Sequence, residues 1–472
     1  MYSNMEIQFS PDKVNQENGF DALENMAERD QFISQKTEFT DSEGKTSFEM
    51  SIFNLSNAIM GSGILGLAFA MSNTGIVLFL FLMTVIAILS AYSIHLLLKS
   101  ADVVGVHVYE QLGYRAFGPA GKILAACVIT MHNIGAMSTY LFIVKNQLPS
   151  VMIGLLNKEP DSGEWFLNGN YLILIVSIAV ILPLALMRRL GYLGYTSGFS
   201  LSCMFFFLIS VIYKKFVTDC PFESRNTTTT ISALNTTTIS TSNGTCEAKL
   251  ATLTPQAAYT IPILAFAFVC HPEVLPIYTE LRKATKKRMQ NVANISILAM
   301  FIMYLLTAIF GYLTFYGEVK DDLLESYPTK DTLMLCVRLA VLVAVTLTVP
   351  VVLFPIRRAV LQMLFPDKPF SWALHTCIAL CLITVVDILV IFVHNIKEIF
   401  GFIGATSAPS LIFILPGIIY IRIVPDEQEP LKSRPKIQAA LFAALGFIFM
   451  VMSISFIIIT WVNGDPSSVG GH

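Results

Sequence analysis

Two segments of this chain set polar, chemically capable residues beside helix-breaking ones inside apolar surroundings. The first places Asn54, Ser56 and Asn57 just ahead of Gly61-Ser62-Gly63-Ile64-Leu65-Gly66, within the apolar stretch 48–71. The second places Phe268, Cys270, His271 and Glu273 between Pro262 and Pro276, within 259–278. An amide oxygen such as that of Asn57, joined by carbonyls that a helix break releases, is an uncharged oxygen ligand for Na⁺. Its plainer role is to cap the first half-helix. Gly61, Ser62 and Gly63 can present backbone N–H groups at the positive end of a half-helix, which suits a carboxylate. The plainer role for such glycines is a small-residue packing face.

Other residues could assist. Thr346-Leu347-Thr348-Val349-Pro350 punctuates an apolar run. Pro350 removes an N–H and so frees a carbonyl near Thr346, making an oxygen site. Alone, a threonine in such a helix more often bonds its own preceding turn. His271 could exchange a proton near neutral pH, or could be a neutral, hydrogen-bonded core residue. His132-Asn133 is similarly placed for a substrate or proton role. Glu273 could cap the second half-helix or pair with a basic residue. Arg338 and Asp387 also fall in apolar runs and need partners, because buried charge is costly.

The elements that must position these residues are membrane helices. Of 472 residues, 54% are hydrophobic and 14% charged, and the mean hydropathy is +0.65. Soluble domains carry about 25% charged residues. The net charge of −2 and the lack of a basic tract give no nucleic-acid partner. Spans of roughly 20 apolar residues fall at 48–71, 75–98, 123–144, 170–187, 193–215, 257–279, 291–316, 332–356, 372–394, 399–421 and 437–461. The fold class is therefore an all-α polytopic membrane protein with about eleven transmembrane helices. The segment Tyr109–Phe117, within the connection 100–122, reads as a short interfacial helix.

Residues 1–46 are polar and acidic, and read as a disordered cytosolic tail without a cleavable signal peptide. Lys and Arg concentrate in alternate connections (Arg115, Lys122, Arg188, Arg189, Arg282, Lys283, Lys286, Lys287, Arg288, Arg357, Arg358). That bias puts the N-terminus inside and, with an odd span count, the C-terminal tail outside. The loop 216–256 then lies outside. It carries acceptor patterns at Asn226, Asn235 and Asn243, suited to glycosylation on a solvated loop. Cys220 and Cys246 flank these asparagines and read as an extracellular disulfide. The other six cysteines read as small buried hydrophobes. Asn54 and Asn294 match the glycosylation pattern by chance, since both lie in or beside spans.

The two interrupted spans begin two sets of five: 47–215 and 257–422, with 423–472 holding a linker, an eleventh helix and the C-tail. A five-span unit repeated once must be inverted. Unwound backbone in hydrocarbon is tolerated only where it is buried in protein or lines a polar cavity. Paired interruptions of this kind mark the binding site of a secondary transporter. No nucleotide loop, catalytic motif or channel filter appears, so the chain does not read as an enzyme, pump or channel.

Five segments carry a resemblance. Phe53–Gly66, Gln111–Gly118, Leu190–Gly198, Phe266–Tyr278 and Ala344–Arg357 resemble the sodium-coupled neutral amino acid transporters (solute carrier family 38), and the likeness runs from about Thr46 to the C-terminus. The chain looks most similar to the system N branch. The family belongs to the amino acid–polyamine–organocation superfamily. Its fold is expected to be the LeuT-like five-plus-five inverted repeat, with one extra helix.

The resemblance implies a plasma-membrane protein without a resident cofactor. It would move small neutral amino acids (glutamine, asparagine, histidine, also serine, alanine and glycine) with Na⁺ in exchange for H⁺. Na⁺ would sit on Asn57 and Thr346. The resemblance also pairs Cys220 with Cys246. The residues themselves offer Gly61, Ser62, Gly63, Asn133, Phe268, Cys270 and His271 as substrate contacts, and His271, His132 or Asp387 for proton coupling. Two residues depart from the family pattern: Glu49 stands in place of glycine, and Asp387 in place of asparagine. Na⁺ symport without protons, as in the system A branch, is the alternative, followed by an amino acid sensor.

Overall fold

The computed structural model describes residues 46–157, 164–186, 193–219, 246–364, 371–393 and 395–462. Among them the chain is helical, with a single isolated bridge between Thr46 and Leu281. The helices are α1 (Phe48–Ile59), α2 (Leu67–Thr74), α3 (Ile76–Val104), α4 (Tyr109–Leu156), α5 (Gly169–Ala185), α6 (Leu193–Val217), α7 (Thr260–Ala267), α8 (His271–Glu280), α9 (Lys286–Phe315), α10 (Thr332–Leu364), α11 (Trp372–Phe392), α12 (Ile396–Ile423) and α13 (Arg434–Val462). Nine described segments are long and apolar enough to cross a membrane, and α1 with the turn and helix Ser62–Thr74 makes a tenth, bent by 49°. The fourth expected span is the shorter apolar helix Gly169–Ala185, with a π-helical turn at Ser177–Ile181.

Local chemistry explains the boundaries. Ser47 Oγ accepts from Met50 N at 3.2 Å and opens α1. Glu49 follows, exposed in the first turn, where a carboxylate complements the helix dipole. Gly75 joins α2 to α3 at φ +79°, and a β-carbon there would meet Ala251 Cα at 2.7 Å. Within α4, Phe117 and Gly118 leave helical geometry, Gly118 at φ 64°. The kink separates a short first helix from the long one, as the sequence predicts.

The two interrupted spans run antiparallel. At one face Thr46 N donates to Glu280 O (3.0 Å) and Arg282 N donates to Thr46 O (2.9 Å). At the other face Thr252 N donates to Thr74 O (3.1 Å), and Thr254 Oγ1 bonds Asn73 Oδ1 (2.6 Å). The start of one span thus meets the end of the other at both faces, as inversion requires. Around this pair, α1 packs on α6 and α9, α7 packs on α12, and α4 packs on α10 and α12.

Candidate functional site

The first span stops being α-helical after Ile59 and resumes as a 3₁₀ turn at Ser62–Gly66 that runs into α2. Gly61, at the N-cap of that turn, has no side-chain cap, so the first N–H groups beyond it are helix-start donors. The second span is interrupted at Phe268–Cys270, between α7 and α8. The two interruptions touch. A β-carbon on Gly63 would meet Ala267 Cα and Cβ at 3.0 Å, so only a hydrogen fits between the backbones. A β-carbon on Gly61 would meet the Tyr140 hydroxyl oxygen at 3.0 Å. Glycine here serves close approach, which a packing face alone also provides.

One residue that sequence reasoning missed holds the pair together. Tyr304, buried on α9, directs its hydroxyl at Ile59 O (2.7 Å) and Ala267 O (3.0 Å), the carbonyls released at the two interruptions. Its ring meets Phe268 edge-on at 5.4 Å. The available signal was weak: a tyrosine deep in an apolar run needs a partner for its O–H. Ser90 on α3 donates to Phe268 O at 3.2 Å. Ser62 Oγ and Thr139 Oγ1 share a 2.5 Å hydrogen bond. Ser62 therefore ties the first interruption to α4.

Several buried polar atoms around the interruptions lack hydrogen-bond partners. Asn57 Oδ1, Asn54 Oδ1, Asn133 Nδ2 and both ring nitrogens of His271 are among them. Asn57 therefore does not spend its oxygen on capping α1. His271 is fully buried, and neither ring nitrogen has a hydrogen-bond partner among the described residues. Such groups in native proteins await an unseen partner, because an unmet buried polar atom costs about 1–3 kcal/mol. His132 Nδ1 instead contacts Ser407 Oγ of α12 at 3.2 Å, and its ring lies 5.6 Å from Phe266. Asn133 and Tyr140 lie seven residues apart, on one face of α4. Phe268 and Cys270 are fully buried.

The other expected residues lie elsewhere. Thr346 is half-buried on α10, and α6 packs against both α10 and α1, the helix of Asn57. Thr348, two residues before Pro350, spends its hydroxyl on Ala344 O at 2.8 Å. Asp387 is apart from both interruptions: on α11, it accepts from Ser177 Oγ at 2.9 Å, at the π-helical turn of α5. Arg338 finds backbone partners, Leu324 O (3.0 Å) and Tyr327 O (2.8 Å). Cys220, Asn226, Asn235 and Asn243 lie outside the described residues. Cys127, Cys203, Cys270, Cys336, Cys377 and Cys381 are free thiols, and four of them are exposed on the helices rather than buried as expected: Cys127, Cys336, Cys377 and Cys381. Lipid-facing positions take cysteine as readily as a core does, since both are apolar.

An inverted pair of interrupted helices meeting at mid-span defines the class of secondary transporters. Residues 44–459 match the family described as transmembrane amino acid transporter protein, and the chain belongs to it. This is a family of transporters, not enzymes. The chain is 52% identical to the sodium-coupled neutral amino acid symporter 2 of Danio rerio, over 96% of this chain and 92% of that protein. It is 51% identical to the sodium-coupled neutral amino acid transporter 4 of Rattus norvegicus, over 92% and 89%. The fold resembles MhsT in complex with L-phenylalanine (TM-score 0.56, 13% identity, 87% of this chain and 97% of that one). It also resembles Mhp1, a nucleobase-cation-symport-1 family transporter in a closed conformation (TM-score 0.55, 11% identity, 88% and 91%). The fold is thus the LeuT-like one.

Proposed function

We propose that the chain imports small neutral amino acids, glutamine, asparagine and histidine foremost, coupled to Na⁺ and in exchange for H⁺ across the plasma membrane. The observation that carries this reading is the contact of the two interruptions, with Asn57 Oδ1, Asn133 Nδ2 and the His271 nitrogens left unpartnered around it. The substrate carboxylate takes the N–H groups at Gly61, Ser62 and Gly63, where the helix dipole is positive. Asn133, Phe268, Cys270 and His271 face the remainder of the substrate. Na⁺ takes Asn57 Oδ1 together with oxygens around Thr346, whose carbonyl Pro350 leaves without its helical N–H.

Orientation follows the Lys/Arg bias, with the N-terminus cytosolic, loop 216–256 outside and the C-terminus extracellular. The units 47–215 and 257–422 rock against each other, with bilayer lipid outside. A second reading, Na⁺ symport without H⁺, is favoured by one relative being called a symporter. Radiolabelled glutamine uptake, with Na⁺ replaced by choline and cytosolic pH followed, tests both. Na⁺-dependent uptake with cytosolic alkalinisation supports exchange. Uptake without a pH change supports plain symport. Uptake indifferent to Na⁺ refutes both.

A further inference from the structure

Among the five acids of the connection between α9 and α10, Asp321, Asp322 and Glu325 lie close together in the sequence. The structure buries the middle one completely. Asp322 Oδ1 accepts from Leu324 N (2.9 Å), and Oδ2 accepts from Gln147 Nε2 of α4 (2.8 Å). Glu325, half-buried, accepts from Asn146 Nδ2 of the same helix (2.8 Å). The turn Leu323–Ser326 rests on Ser62–Gly66, the restart of the first interrupted span.

We propose that Asp322, with Glu325 beside it, is a proton-binding site that controls access to the first interruption from the outer face. This inference rests on the transport reading above and adds a site to it.

The charge around the site is unbalanced. Asp322 and Glu325 face each other and Asp321 on their own segment, with Lys320 near Glu325. From α10 the facing charge is Arg338, itself near Asp331, which pairs with Lys214 of α6. From α12, Lys397 N donates to Asp321 Oδ2 at 3.3 Å. From α4 come only the neutral amides of Asn146 and Gln147. Tyr327 closes the segment. Arg338, buried to 1% exposure, spends Nη2 on two carbonyls, and its Nε and Nη1 have no partner. Neither carboxylate is hydrogen-bonded to it. Two neighbouring carboxyls without a bonded cation hold a proton more readily than separate ones.

The site can also receive that proton. Gln147 is fully buried and its Oε1 lacks a partner. Rotating the amide lets a protonated Asp322 carboxyl donate to Oε1, where the carboxylate now accepts from Nε2. Burial, with Glu325 adding to it, pushes the Asp322 carboxyl up to about 7. A carboxyl whose pKa is raised in the packed arrangement binds its proton more tightly there than when it faces water. Acid therefore favours the packed turn. As pH rises through the raised value the proton leaves, the two carboxylates repel, and the turn lifts from Ser62–Gly66. The free Nε and Nη1 of Arg338 stand ready for the released carboxylates. Uptake should rise with external pH.

The test is Na⁺-dependent glutamine uptake between external pH of about 6 and about 8, either side of the Asp322 value. Wild type should gain severalfold across that window. Asp322→Asn, neutral at every pH, should change less than about twofold. Glu325→Gln removes the like charge and should move the midpoint to lower pH by about one unit. Surface labelling accompanies each variant. Should Asp322→Asn fail to reach the surface, the Glu325→Gln midpoint decides. A uniform loss of rate in Asp322→Asn with the wild-type pH profile kept, or an unmoved Glu325→Gln midpoint, overturns the proposal. Wild-type uptake that depends on Na⁺ but not on pH overturns it while sparing the transport reading. Wild type without any Na⁺-dependent uptake sinks both.

Discussion

The two interruptions solve one problem with opposite chemistry. Both release carbonyls in the middle of a membrane span. The first, at Gly61–Gly63, is built from small residues and keeps its neighbouring amide oxygen, Asn57 Oδ1, unspent. Tyr304 clamps both, through Ile59 O and Ala267 O, and Ser62 ties the first to Thr139. The second, at Phe268–Cys270, is aromatic, with Phe268 O held by Ser90, and it adds a bare imidazole, His271. The two halves of an inverted repeat therefore need not carry equivalent groups: one interruption is built of small residues, the other of aromatic and imidazole side chains.

The largest effect should come from Asn57→Ala. It removes the oxygen assigned to Na⁺, and Na⁺-dependent uptake should vanish or need severalfold more Na⁺, with surface expression retained. Wild-type Na⁺ activation in this variant would erase the distinction between the two interruptions. Tyr304→Phe comes next. It leaves Ala267 O without its side-chain donor, at about 1–3 kcal/mol, while Ile59 O keeps Gly61 N (2.8 Å). Uptake should fall about tenfold, since 1.4 kcal/mol is one decade. Because the hydroxyl spans both interruptions, a loss confined to substrate affinity, with Na⁺ activation unchanged, would limit Tyr304 to the second one.

His271→Gln keeps a polar group but cannot titrate. A several-fold rise in the glutamine KM is expected if His271 shapes the substrate pocket. Measured beside Asp322→Asn, it also shows whether the pH profile belongs to the second interruption or to the outer turn. The smallest effect on transport should follow joint replacement of Asn226, Asn235 and Asn243 by Gln. That variant should run as one sharper, faster band and still take up substrate. An unshifted band would reverse the assignment of the outer face.

Hydropathy made most of the fold legible, because apolar runs report contact with lipid. It failed where polar side chains find partners inside the protein. The third span was expected to end at 144, yet α4 continues to Leu156. Lys145 donates to Val390 O at 2.9 Å, while Asn146 and Gln147 bond Glu325 and Asp322. Those residues look like the edge of a membrane only when read singly. The interruptions were legible because Gly and Pro act locally on the backbone. Tyr304 and Asp322 were not, because their roles depend on residues more than a hundred positions away: Ile59 in one case, Gln147 in the other. Asp387 shows the converse. Its charge stood out in an apolar run, but Ser177 meets it far from either interruption.

The paired ends of the interrupted spans carry a kinetic consequence. Thr46 is stitched to Glu280 and Arg282 at one face, and Thr74 and Asn73 to Thr252 and Thr254 at the other. Each backbone hydrogen bond is worth about 0.5–1.5 kcal/mol net. A movement that parted the spans at one face would break only that face's hydrogen bonds and leave the opposite set intact, and a pathway open at both ends would have to break both sets at once.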